Sequence, residues 1–572
     1  MKKLMLGNEA VARGAFEAGV RVVSSYPGTP STEITEFSAK YPEMKCQWAP
    51  NEKVAVETAF GAAMAGARAM SCMKHVGVNV AADPLYTAAY TGVRGGLVIV
   101  TADDPFMHSS QNEQDSRMIA RAAHIPMLEP ADSQECKDFT VRAFEISEKY
   151  DVPVFLRLTT RLAHQRSPVE VGERTEREVP VYEKNFMKYV MMPGMARKRH
   201  IVVEAREKQM EADAAELGLN REEMHGTELG VVCAGVVYQY VRDALPEASV
   251  LKLGMSYPLD RAAVRSFAEK VDKLVVIEEL EGVLEQEIAA MGIAVEGKKY
   301  TGLQGELSVQ RIREAFGADK APTEPALPAR PPVLCPGCPH RATFYAIKKL
   351  KLQVFGDIGC YTLCALPPLE SMDAALCMGA SIGMAVGAEK AQGRDFARRS
   401  VAVIGDSTFV HSGITGLINA VYDRANTTVI ILDNRIAGMT GHQQNPATGF
   451  DIYNQPAPQL NIEALCEAVG AHVRIVDPMD MAAMTQALKE ETQRDGVSVI
   501  ISRSPCALLD KRRKTPLAID SEKCRNCGAC MRIGCPAIER GADGRPVING
   551  ALCVGCGLCK QMCAFDAIGG DK

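Results

Sequence analysis

The sequence predicts a multidomain α/β protein of doubly wound sheets, ending in a small α+β module. Three observations predict it. Apolar strand-like runs alternate with Ala- and Gly-rich helical runs along most of the 572 residues. One Pro- and Ala-rich stretch, "KAPTEPALPARPPV", interrupts that alternation and reads as a linker. Eight cysteines then crowd between Cys524 and Cys563.

The elements follow in order. "MKKLMLGNEAVARGAFEAG" reads as a strand and a helix, since it lacks the long apolar core and cleavage site of a leader. "GVRVVSSYPGTPSTEI" reads as strand, turn and helix start. "VAVETAFGAAMAGARAMSCMK" reads as one helix whose small residues allow close packing. "GGLVIVTADD" and "VPVFLRLTT" read as short buried strands. Residues 166–226 are charged, Met-rich and weakly periodic; they read as a connector ending in an exposed helix, "EAREKQMEADAAELG". "ELGVVCAGVVYQYVRDAL", "ASVLKLGMSYPL" and "KLVVIEELEG" form a second, smaller α/β unit within residues 227–325. A third α/β unit occupies residues 326–515, and the cysteine-rich module residues 516–572. No tandem repeat is visible.

Composition narrows the function classes. Charged residues make up 24% of the chain and the net charge is −5, so nucleic-acid binding is not indicated. The only basic block, Lys511-Arg512-Arg513-Lys514, reads as a solvated linker or as a dock for an acidic partner. No run of 18 apolar residues is present, so no membrane span is expected. Nineteen cysteines with metal-site spacing indicate a reducing cytoplasm and an oxygen-poor setting, not a disulfide scaffold.

In "KCRNCGACMRIGCP" and "LCVGCGLCKQMCAF" three cysteines stand three apart and a fourth follows. C-x2-C-x2-C wraps three thiolates around one iron–sulfur cube, and the fourth cysteine usually reaches the other cluster. One set is therefore Cys524, Cys527, Cys530 and Cys563. The other is Cys553, Cys556, Cys559 and Cys535. Two [4Fe-4S] clusters are expected. Zinc prefers two separated pairs. The first run has one residue more than usual before its last cysteine, and Ala564 stands where proline is usual. A module this small is expected to be held together by its clusters.

"SVAVIGDSTFVHSGITGLINAVYDRANTTVIILDN" reads as strand, Gly405-Asp406-Ser407, helix, strand, Asp433-Asn434. Adjacent parallel strands bring Asp406 and Asn434 to one carboxyl-end edge, where ligands gather in open α/β sheets. A carboxylate, an amide oxygen and a main-chain carbonyl are hard donors suited to Mg²⁺ with a diphosphate, and helix N-termini favour the phosphate charge. An ordinary Rossmann-like turn is the alternative. The pattern resembles the thiamine diphosphate motif, GDG followed by NN, with GDS and DN here. The resemblance implies that Asp406, Asn434 and the Ile436 carbonyl hold Mg²⁺, with Gly405, Ser407 and Thr440 at the cofactor.

"WAPNEKVAVETAFGAAMAGARA" looks like the pyrimidine-domain segment of 2-oxoacid:ferredoxin oxidoreductases, and "SYPGTPSTE" resembles their YPITPS turn. By that resemblance Glu52, in preference to Glu57, is the catalytic carboxylate, and Thr29 lies near substrate and cofactor. Otherwise Glu52 is a helix-start carboxylate favoured by the macrodipole, and the turn is a cap at Ser31 or Thr32.

"VLCPGCPHRATFYAIK", "FGDIGCYTLCALPPL", "AGMTGHQQNP" and "DDPFMHSSQNEQDSR" extend the resemblance over nearly the whole chain, to the large subunits of indolepyruvate ferredoxin oxidoreductases. That resemblance implies a thiamine pyrimidine-binding domain at residues 1–165 and a transketolase C-terminal-like domain at 227–325. It implies a diphosphate- and Mg-binding domain at 326–515 and a two-cluster ferredoxin-like domain at 516–572. The implied reaction turns an aryl 2-oxoacid, coenzyme A and oxidised ferredoxin into acyl-CoA, CO₂ and reduced ferredoxin, with the cysteine quartets carrying the electrons away. The implied assembly is an α₂β₂ complex, in which a separate small (beta) subunit joins a homodimer of this chain. By the same resemblance Cys335, Cys338, Cys360 and Cys506 match a proximal cluster in order and spacing, with buried thiols, or zinc with His340, as alternatives. The polar loop 108–117 lines the substrate entrance or is a solvated loop; His411 and His442 are proton carriers or structural. Other 2-oxoacids, a non-oxidative decarboxylase and an electron-transfer docking subunit are the competing readings. The joint presence of Glu52, Asp406 and Asn434 weighs against the last.

Overall fold

In the first sheet the strands Val22–Ser25, Ala69–Lys74, Leu97–Asp103 and Val154–Thr159 are almost wholly buried. Burial on both faces removes the polar alternation of half-exposed strands and suits parallel pairing with helical crossovers. The computed structural model describes residues 1–318, 331–509 and 515–569. It divides into two units, Met1–Pro325 and Ala326–Lys572. Most of the interdomain linker and the whole Lys511–Lys514 block lie outside the described residues.

The first unit holds a seven-stranded sheet in the order Met255–Tyr257, Met127–Leu128, Val154–Thr159, Leu97–Asp103, Ala69–Lys74, Val22–Ser25, Lys45–Trp48. All pairs are parallel except the first. A four-stranded sheet follows, in the order Leu274–Val276, Gly230–Ala234, Ser249–Leu253, Arg221–Glu223. A buried ionic network ties the two sheets together. Arg157 donates to Asp103 and Glu129 at 2.7 and 2.6 Å, and Arg117 to Asp115 and Glu278, both at 2.6 Å.

Three sequence expectations need correction. The helix expected through residue 74 runs only over Glu52–Met64, and Ala69–Lys74 is a central strand. Gly66, at φ +100°, turns the chain between them. A short buried strand and a buried helix share one apolar signature, so periodicity could not separate them. Met255–Tyr257 leaves the second sheet to pair antiparallel with Met127–Leu128. Its crossing point is Gly254, where a Cβ would stand 2.2 Å from the Leu219 carbonyl oxygen. The connector is also more structured than expected. Arg166–Glu170 pairs with Lys2–Leu6, and the helix Pro193–Ala212 buries a stripe of Val203, Arg206 and Met210.

The second unit holds a wholly parallel sheet in the order Ala374–Ala375, Gln353–Gly356, Ser400–Gly405, Thr428–Asp433, Ser498–Arg503, His472–Val476. Its faces bury two apolar clusters, one around Phe344, Val403 and Ile430, the other around Ile404, Phe409 and Ile431. The cysteine-rich end has two small antiparallel ribbons, Ala518–Ile519 with Ile568–Gly569 and Ile538–Arg540 with Pro546–Ile548. Its core is Cys530, Ile533, Ile538, Cys559 and Ile568. No helix among the described residues is long and apolar enough to cross a membrane.

Candidate active site and electron path

Strand Ser400–Gly405 ends against Tyr361, whose hydroxyl accepts the Gly405 N–H at 3.0 Å and donates to the Ile358 carbonyl at 3.2 Å. A Cβ on Gly405 would lie 2.9 Å from that ring. Asp406 then starts a helical run. One carboxylate oxygen accepts the Ser407 N–H at 2.7 Å and the other the Arg435 N–H at 2.9 Å. Burial, then the charge of Asp433, pushes the Asp406 carboxyl up to about 7. A bound cation would relieve both. Asn434 follows the neighbouring strand; its Oδ1 accepts the Ile436 N–H at 3.3 Å and its Nδ2 lies 3.4 Å from His340 Nε2. Gly405, Asp406, Ser407, Asn434 and Ile436 thus meet at one sheet edge. Thr440 lies further along the loop and donates to Gln443 at 2.6 Å.

Sequence reading missed two residues here, and weighed a third, His340, only as a zinc ligand. His340 is buried and held neutral, burial pulling its pKa down to about 4. Tyr361 has no local signature. Asp357 accepts main-chain N–H groups from Ile358, Gly379 and Ser381 at 2.9, 2.8 and 3.2 Å. The repeated strand-Gly-Asp pattern, Gly356-Asp357 beside Gly405-Asp406, was its available signal. His411 bonds Ser412 at 2.6 Å.

The cysteines fall into three neighbourhoods. Burial, then the thiols of Cys524, Cys527 and Cys563, raise Cys530. Burial, then Cys556, Cys535 and Cys553, push Cys559 up to about 12. Cys535, Cys553, Cys556 and Cys559 line one cavity with Leu517, Ile538 and Ile548. Main-chain N–H groups point at sulfur too: Leu517 and Gly555 at Cys553, both 3.4 Å, and Ala567 at Cys563, 3.3 Å. Such bonds stabilise ligating thiolates. In the third neighbourhood burial, then Cys506 and Cys335, push Cys360 up to about 11. Cys338 is likewise raised by burial and by Cys360 and Cys506. Cys364, which sequence reading passed over, is buried beside Cys338 and Cys360. Among the described residues no three His, Cys, Asp or Glu side chains converge closely enough to hold a single metal ion. A cube instead spreads its thiolates over four corners.

At the carboxyl edge of the first sheet, Glu52 opens the helix Glu52–Met64 and is 4% exposed. It lies against Gly77, where a Cβ would come within 2.6 Å of Glu52 Oε1. Thr29 sits half-buried in the turn after Val22–Ser25, and its carbonyl accepts from Ser109 Oγ at 3.4 Å. The Ser31 hydroxyl bonds the Gly28 carbonyl at 2.9 Å, and it makes no cap bond to the helix. Lys74, also not anticipated, donates to the Ser109 carbonyl at 3.0 Å. Burial depresses its pKa against the pull of Asp104 and Glu52. The 108–117 loop therefore folds back onto the Thr29 turn.

The comparisons with known proteins agree with this layout. The family model described as "Pyruvate flavodoxin/ferredoxin oxidoreductase, thiamine diP-bdg" matches residues 13–224. That described as "Thiamine pyrophosphate enzyme, C-terminal TPP binding domain" matches residues 357–502. The fold and these matches define a thiamine diphosphate-dependent oxidoreductase of the 2-oxoacid:ferredoxin class. The chain is 40% identical over 617 residues to indolepyruvate oxidoreductase subunit IorA of Archaeoglobus fulgidus, covering 99% of this chain and 97% of the relative. It is 41% identical over 601 residues to the subunit IorA of Methanothermobacter marburgensis, covering 99% and 96%. To 2-oxoglutarate synthase subunit KorA of Methanothermobacter thermautotrophicus it is 33% identical over 186 residues, 30% of this chain and 48% of that one. The chain belongs to the indolepyruvate oxidoreductase subunit IorA family.

Proposed function

We propose that this chain is the catalytic subunit of an enzyme that oxidises aryl 2-oxoacids of the indolepyruvate and phenylpyruvate type. One 2-oxoacid, one coenzyme A and two oxidised ferredoxins give acyl-CoA, CO₂, two reduced ferredoxins and a proton. The observation that supports this reading is the meeting of Asp406, Asn434 and Ile436 at one carboxyl edge, in the same unit as three cysteine neighbourhoods. Whole-length similarity to IorA chains, against a partial match to a 2-oxoglutarate synthase subunit, favours the aryl substrates.

Thiamine diphosphate, when bound, supplies the electron sink for decarboxylation. Asp406, Asn434 and the Ile436 carbonyl hold its Mg²⁺, with Gly405, Ser407 and Thr440 alongside; hard oxygen donors at a strand edge fit that pair. With the cofactor bound, the buried Glu52 carboxyl would hold or give up the proton its pyrimidine ring needs, and Thr29 would lie at the 2-oxoacid. The Cys524, Cys527, Cys530, Cys563 and Cys553, Cys556, Cys559, Cys535 sets each hold a [4Fe-4S] cluster. Cys335, Cys338, Cys360 and Cys506 hold a third between the cofactor and the module. The protein works in a reducing cytoplasm, as a homodimer within an α₂β₂ complex with a small beta subunit.

The test is anaerobic. The chain is purified with its small subunit and given thiamine diphosphate, Mg²⁺ and coenzyme A. Viologen reduction is followed with indolepyruvate, phenylpyruvate, pyruvate and 2-oxoglutarate. Coenzyme A-dependent reduction with the aryl acids is expected. Preference for pyruvate or 2-oxoglutarate overturns the substrate assignment, and CO₂ release without reduction overturns the electron path.

A further inference from the structure

Arg341 is a buried cation with no carboxylate partner among the described residues. It lies in the first turn of the helix His340–Leu350 and is 3% exposed. Its Nε donates to the Cys335 carbonyl at 3.3 Å. Its Nη1 donates to the carbonyls of Ile533, at 3.2 Å, and Gly534. Its Nη2 donates to those of Leu334 and, at 3.3 Å, Cys335. Every acceptor is main chain, and no ion pair joins Arg341 to a carboxylate among the described residues. Two physical terms oppose a charge there. Desolvating an ion is costly unless it is paired, and the first turn of a helix carries the positive end of its dipole.

Cysteines flank the guanidinium on both sides. Against the burial that pushes the Cys338 thiol up, the charge of Arg341 draws it down. On the other side Arg341 lines the cavity shared by Cys535, Cys553, Cys556 and Cys559. The Cys335–Cys338 loop abuts this same set. Gly337, at φ +75°, would place a Cβ 2.5 Å from Val554 Cγ2 and 3.7 Å from Cys556 Cβ. Gly534, at φ +68°, would place one 2.8 Å from Pro368 Cδ and 3.3 Å from Arg341 Nη1.

We propose that Arg341 is a positioning residue for electron transfer. It clamps the Cys335–Cys338 loop onto the Cys535 loop. Its charge also favours the reduced form of the cluster on Cys535, Cys553, Cys556 and Cys559, the set against which the Cys335–Cys338 loop packs. This rests on the reading that the quartets hold clusters. With a cluster bound there, each electron from substrate oxidation would add one negative charge beside the Arg341 guanidinium. A fixed buried positive charge strengthens the hold on that electron, since net charge and local bonding set cluster potentials.

The test uses the anaerobic holoenzyme. Iron, sulfide and EPR of the reduced wild type come first, and absence of clusters there overturns the cluster reading, not the role of Arg341. With clusters present, potentiometric EPR titrations compare wild type with R341Q and R341K. In R341Q one module signal is expected to lose about tenfold in its reduction equilibrium, ~59 mV for a one-electron couple, and viologen reduction to slow. R341K stays near wild type. Unchanged midpoints in R341Q overturn the proposal. Should R341Q lack that cluster, its retention in R341K supports a need for the charge, and its loss from both overturns the tuning role in favour of packing.

Discussion

The Asp406 carboxylate accepts the main-chain N–H of Arg435 at 2.9 Å, joining two strand ends 29 positions apart in the chain. Arg435 adopts φ +64° to make that bond, a left-handed conformation rare for a residue with a side chain. The loop is thus curled so that Asn434 and Ile436 stand beside Asp406.

Removing that carboxylate should abolish cation-dependent cofactor binding. Outer partners of a metal ligand are worth roughly 10–100-fold in affinity, so D406A, which removes a ligand, is expected to lose at least about 100-fold by the same measure. Titration calorimetry with thiamine diphosphate, with and without Mg²⁺, reads this. Equal affinity in the variant would displace Asp406 from the cation.

His340 tests the outer layer. Its neutral imidazole lies 3.4 Å from the Asn434 amide nitrogen and so orients the amide. H340L should weaken Mg²⁺-dependent cofactor binding by roughly 10–100-fold. H340Q, which keeps an acceptor, should recover most of the loss. The same calorimetry decides.

Glu52 and Gly77 form the third test. E52Q should lower kcat by about 10²–10⁴-fold, the usual worth of a positioned proton carrier, with cofactor binding retained. G77A adds a Cβ 2.6 Å from Glu52 Oε1 and should also lower kcat. A G77A variant with full kcat would mean that the Glu52 position is tolerant.

Cluster ownership can be read from cysteine pairs. C535S should remove one cluster, about four iron atoms per chain. Adding C553S should remove no more iron, because both belong to one set, whereas adding C524S should remove a second cluster. Iron analysis with EPR separates the outcomes, and further loss in C535S/C553S would refute the crossed pairing.

Glu279 sets a pH dependence in the first unit. Burial pushes its carboxyl up to about 7 from 4.5, against the Leu307 N–H and the charge of Arg157. The folded protein therefore holds a proton that the unfolded chain releases. That contribution to stability is whole below about pH 4.5 and is lost as pH rises through about 7. E279Q should match wild type near pH 5 and melt higher at pH 8, by the equivalent of roughly 3 kcal/mol. Parallel melting curves at the two pH values check it.

Some of the site was legible and some was not, for identifiable reasons. Asp406 and Asn434 follow short apolar runs rich in β-branched residues and closed by turn residues, which read as strands, so their convergence followed from parallel pairing. Lys74 was hidden because its strand was read as the end of a helix. Arg341 was hidden because its burial, and its pairing with main-chain carbonyls alone among the described residues, depend on contacts 192 and 193 positions away in the chain.

Taken by itself, the chain already carried its chemistry. Cysteine spacing, strand-end Asp and Asn, and the Glu52 helix are local patterns, and ligand type with short spacing constrains which group can bind. Three-dimensional packing decided the neighbourhoods. Cys364 joins Cys338 and Cys360, Met255–Tyr257 joins a sheet other than that of its sequence neighbours, and Arg341 stands between two cysteine sets. Each of these depends on side chains brought together across long stretches of chain, where desolvation and close packing, not local spacing, determine which groups can share a site.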